Sequence, residues 1–160
     1  MTKGDNINLF NALNKLGNLV GVRFAYAVSR NISLLKPEYE AIQEAIKPSE
    51  AFTAYEKERI ALVESFAKKD EKGKAVSENG AYVLEDQEGF DKAFELLKET
   101  HKEAVDGRTA QQDEVNELLK NESTVELHKV SLDNVPEGIT VAQLHSISDI
   151  ISEEIPTPYK

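Results

Sequence analysis

A chain of 160 residues, 40% hydrophobic and 30% charged, is long enough to form one cored domain and too apolar to stay disordered. The absence of cysteine excludes disulfides, thiol catalysis and cysteine-held zinc. A net charge of −10 argues against general nucleic-acid binding, and no apolar run reaches the ~20 residues of a membrane span.

The opening Met1-Thr2-Lys3-Gly4-Asp5 lacks the layout of a secretory signal, so a cytoplasmic location is expected. Up to Lys36 the chain carries Lys3, Lys15, Arg23, Arg30 and Lys36 against Asp5 alone. That balance of +4 leaves −14 for the remainder. A small anion site in the basic opening is therefore compatible with the acidic whole.

In chain order, Ile7, Leu9, Phe10, Leu13 and Leu16 predict a short amphipathic helix ended near Gly17. Leu19–Ala27 is apolar on nearly every side, which predicts a deeply buried start to the next helix. Ala25, Val28, Ile32, Leu35, Tyr39, Ile42 and Ile46 are spaced by threes and fours and share one helical face. Pro37 lies opposite that seam and should bend the helix without ending it. Lys47-Pro48-Ser49 supplies a stop, with Ser49 the N-cap of a second stripe: Phe52, Tyr55, Leu62, Val63 and Phe66. The link is so short that the two helices are expected to pack as an antiparallel hairpin. In that register Arg59 would stack on Tyr39 and pair with Glu38 or Glu40.

Lys68–Gly73 reads as a charged loop, and Asn79-Gly80 between two short runs reads as a β-hairpin. Asp86 is the expected N-cap of a helix with Phe90, Phe94, Leu97 and His101 on one face, ending at Asp106-Gly107. Thr109 and Gln112 would open a further helix. Thr124–Val130 alternates as a strand, and Thr140 with Gln143 opens a last helix that turns Leu144, Ile147 and Ile151 inward. The tail Ile155-Pro156-Thr157-Pro158 is expected to be extended. The sum is a helix-dominant α+β fold: a long antiparallel helical hairpin, a small antiparallel sheet and further short helices. One domain is expected over 1–160, with a hairpin half at 1–70, a mixed half at 71–154 and a tail at 155–160.

Catalysis needs a nucleophile, an acid–base pair or spaced metal ligands. His101, His128 and His145 fall on separate elements, and His101 reads as a hydrogen-bonded core histidine. His145 and Asp149 read as a surface pair one helical turn apart. Glu95, Glu99 and Glu103 read as a solvated helix face. No phosphate loop, nucleophile elbow or dinucleotide fingerprint occurs. No catalytic residue, metal or cofactor is expected. The candidate ligand-binding residues are Arg23, Tyr26 and Arg30, since arginines beside an aromatic ring suit anions, phosphates and stacked bases.

Residues Lys68–Lys74, Asn79–Asp86, the helix opened by Phe90, Leu127–Leu132 and Thr140–Leu144 form a pattern of turns and apolar spacing. Over residues 55–152 it resembles a family of small, uncharacterised tailed-phage proteins, although the opening segment here is longer and more apolar. The resemblance implies a viral origin and no site residues. The expected function is non-enzymatic binding to a host or phage macromolecule, of the host-takeover or anti-defence type, in the host cytoplasm. A protein partner comes first and a small anionic ligand or nucleotide signal second. An oligomeric assembly factor comes third.

Overall fold

The computed structural model describes residues 1–17 and 21–152. Four of the helix starts are marked by a side chain that satisfies a bare N–H group. Helix α1 (Lys3–Asn14) opens at Thr2, whose hydroxyl accepts from the Asp5 N–H while the Asp5 carboxylate accepts from the Thr2 N–H. The bond from the Thr2 backbone holds the Asp5 carboxyl below its ordinary range. Helix α2 (Val22–Ile46) runs through Pro37 unbroken, and α3 (Glu50–Phe66) begins at the Ser49 cap. The small antiparallel sheet follows: β1 (Ser77–Glu78) pairs with β2 (Ala81–Tyr82) as a hairpin. Asn79 at φ +52° and Gly80 at φ +83° make the left-handed turn that this pairing requires.

Helix α4 (Gln87–Thr100) starts at the Asp86 cap. It ends at His101, and α5 (Lys102–Lys120) continues directly through Asp106-Gly107, where a stop was expected. A mid-helix glycine costs about 1 kcal/mol, which a Lys102–Asp106 ion pair one turn apart and the packing of a 19-residue helix can offset. Beyond α5 come β3 (Val130–Ser131), α6 (Val141–Ser146) with its Thr140–Gln143 capping box, and β4 (Ile151–Ser152). Strands β3 and β4 add a second pair, which is parallel. Helices dominate, and the fold is α+β. The expected extended tail lies outside the described residues.

Two compact units divide the chain: the described residues of Met1–Ala45 with Val115–Lys160, and Ile46–Glu114. The first is cored by Leu9, Leu13, Leu16, Phe24, Ala27, Leu35, Val130, Ile147 and Ile150. In the second, α3 packs on α4, with Phe66 edge-on to Phe90 and Tyr55 tilted against the His101 ring.

The two helices of the expected hairpin fall in different units by this division. Helix α2 buries its face in the core of the first unit, while α3 lies on α4 in the second. An apolar stripe says which residues leave water and not what covers them. The stripe itself is also rotated. The fully buried positions of α2 are Phe24, Ala27, Asn31, Leu35 and Ile42, whereas Ala25 and Ile46 are exposed. The expected all-round burial at the start of α2 fails too. Val22 is 89% and Tyr26 61% exposed, and Val20 lies outside the described residues.

Arg59 bonds a carboxylate other than the expected Glu38 or Glu40. Its guanidinium grips Glu56 on its own helix with two bonds, Nε to Oε1 at 3.0 Å and Nη2 to Oε2 at 2.9 Å. A carboxylate three residues back satisfies that fork without ordering a second element. The bond holds the Glu56 carboxyl below its ordinary range. Tyr39 stacks on Phe10 at 4.3 Å, and Glu38 accepts from Asn6 Nδ2 and Ser123 Oγ.

Candidate functional site

The first turns of α2 lie beside the extended segment that leads into β3, both within the first unit. A groove of about 380 Å³ opens between them, lined by Val22, Arg23, Tyr26, His128, Lys129, Val130, Ser131 and Asn134. The side chain of Arg23 is solvated, and its Nη1 reaches Asn134 Oδ1 at only 3.5 Å. The Tyr26 ring meets the His128 ring edge-on, centroids 5.4 Å apart, which fixes both rings at the wall. Lys129 Nζ donates to the Asp149 carbonyl, a neutral acceptor, so its charge is not neutralised there.

Among the described residues no carboxylate lines this groove, in a chain of net charge −10. Its lining therefore offers positive charge beside an exposed aromatic face, the combination that attracts anions and acidic side chains. Of the three expected ligand residues, the structure brings Arg23 and Tyr26 together here. Arg30, one further turn and more along the same helix, is exposed and does not line the groove. It makes no hydrogen bond or ion pair with any described residue.

His128, Lys129 and Asn134 escaped the sequence reading. Their partners in the groove lie about a hundred residues upstream, and no local spacing records that approach. Their signal was the alternation of Thr124–Val130, which marks an extended segment with exposed polar positions.

The other histidines play no part in this groove. His101 Nε2 lies 3.0 Å from Glu58 Oε2, so the ring is hydrogen-bonded as expected, yet it is half-buried and not part of a core. His145 and Asp149 do not share a helical turn, because α6 ends at Ser146 and a short 3-10 turn begins at Ser148. Glu95, Glu99 and Glu103 are all exposed, and the break at His101 separates the third from the others. Among the described residues no three metal-ligating side chains converge. None of the helices described is long and apolar enough to cross a membrane.

Comparison with known protein families, curated proteins and solved structures finds no match to this chain.

Proposed function

We propose that this protein acts by binding and not by catalysis, and that it engages an acidic surface of a protein partner through the Arg23–Tyr26 groove. The carrying observation is the lining itself: Arg23 and Lys129 with no carboxylate among the described residues that line it, beside a Tyr26 ring that is 61% exposed. Arginine and tyrosine are the residue types that anchor interfaces, since each brings contact area together with a polar group. The resemblance to phage proteins supports placing that partner in a bacterial host, in host takeover or anti-defence.

The test is quantitative capture from host cells with wild-type protein, Arg23→Glu and Tyr26→Ala. A partner lost by both variants and retained by Arg30→Glu supports the groove. A partner retained by all three moves the site elsewhere.

A small anionic ligand, such as a nucleotide signal, is the second reading. It is favoured by the edge-on Tyr26–His128 pair, which leaves ring faces for stacking next to Arg23. Native mass spectrometry of the purified protein separates it from the first, because a retained ligand adds its own mass.

A further inference from the structure

Residues 121–131 form one extended segment that is paired at both ends and open in the middle. At its start Lys3 N–H donates to the Asn121 carbonyl and Ser123 N–H to the Met1 carbonyl, closing a bridge between Thr2 and Glu122. At its end Val130 and Ser131 pair with Ile151 and Ser152. Between these, Asn31 of α2 acts as a surrogate strand. Its Oδ1 accepts from the His128 N–H at 2.8 Å, and its Nδ2 donates to the His128 carbonyl at 2.8 Å.

The Val125 carbonyl, both backbone groups of Leu127 and the Lys129 N–H have no hydrogen-bond partner among the described residues. Buried backbone groups are almost always paired, so these face water. In an extended chain, neighbouring residues turn their N–H and C=O to opposite edges. His128 turns its pair to Asn31, and Val125, Leu127 and Lys129 therefore turn theirs to the far edge. A solvated row of that kind is a template for another strand.

We propose that the occupant is a second copy of this chain, with the two 125–129 segments pairing antiparallel about a two-fold axis through Leu127. A carboxylate acceptor set opposite an imidazole N–H donor is what selects this partner. Pairing about Leu127 sets Glu126 of each copy directly opposite His128 of the other, on the solvent face, twice by symmetry. Both side chains are exposed, and the Tyr26 ring already braces His128. The inference rests on the backbone edge and on Glu126, neither of which lines the groove, and shares only His128 with the groove reading.

A charge swap tests it, at physiological salt so that the −10 carried by each copy is screened beyond about 8 Å. Sedimentation should show wild-type protein passing from one copy to two as concentration rises. Glu126→Lys sets an ammonium opposite His128, and His128→Glu sets two carboxylates opposite each other, so each variant alone should remain a single copy. An equal mixture of the two variants restores opposite charges and should form a mixed dimer. Circular dichroism checks that both variants are folded, and their surface positions make that the expected result. Wild-type protein that stays monomeric at every concentration overturns the proposal. So does a dimer that either single variant leaves intact, or a mixture that stays monomeric.

Discussion

Asn31 is the residue on which the first unit turns. It is fully buried and makes three bonds, to the Ala27 carbonyl and to both backbone groups of His128. Replacing it with Leu keeps the volume but leaves the His128 N–H and C=O without their partner. The expected loss is about 1–3 kcal/mol, the cost of stranding buried polar groups, and urea denaturation will measure it. If Asn31→Leu matches wild type, water reaches His128 and the surrogate-strand role is wrong. Nothing in the apolar spacing of α2 announces this residue. The expected stripe held only hydrophobic residues, whereas the true seam passes through Asn31 and the half-buried Glu38. A pattern that scores hydrophobicity rotates the helix away from polar residues whose partners are distant in sequence. Arg23 and Tyr26 were legible because their own chemistry marks them, while His128 and Lys129 become a site only when the fold closes.

At the scale of elements, the local punctuation was the readable part. Ser49, Asp86, the Thr140–Gln143 box and the Asn79-Gly80 turn all sit where their side chains or backbone freedom require. These signals act within four residues, so one stretch of sequence contains both partners. Gly107 misled because glycine weakens a helix without forbidding it, and α5 runs on through it. Pro37 carries the converse lesson. It is exposed in the middle of α2, removes one backbone donor and does not end the helix. Pro37→Ala should raise stability, by up to about 3 kcal/mol, read as a higher urea midpoint. An unchanged or lower midpoint would mean that the first unit packs around a bend that Pro37 sets.

For the whole molecule, burial is unequal between the two units. Of the fully buried residues described, only Tyr55 and Ala67 belong to Ile46–Glu114. Regions with few buried apolar groups open at lower free energy. Native-state hydrogen exchange should therefore show amides of α3 and α4 exchanging well before those of α1 and of α2 from Phe24 to Ile42. Equal protection throughout would mean that the chain opens as one body. Assignment of the helices to units was the part that sequence spacing could not supply, since the α2 and α3 stripes fit several partners equally well. The first unit is also discontinuous, interrupted between Ala45 and Val115. That interruption has a consequence at the ribosome. The apolar faces of α1 and α2 emerge early, but Val130, Ile147 and Ile150, which complete their core, emerge about a hundred residues later. At roughly 5–20 residues per second, Leu13, Phe24 and Leu35 wait on the order of 5–20 seconds. Through that interval the middle unit is already free to form, and helices α1 and α2, made before it, complete their folding after it.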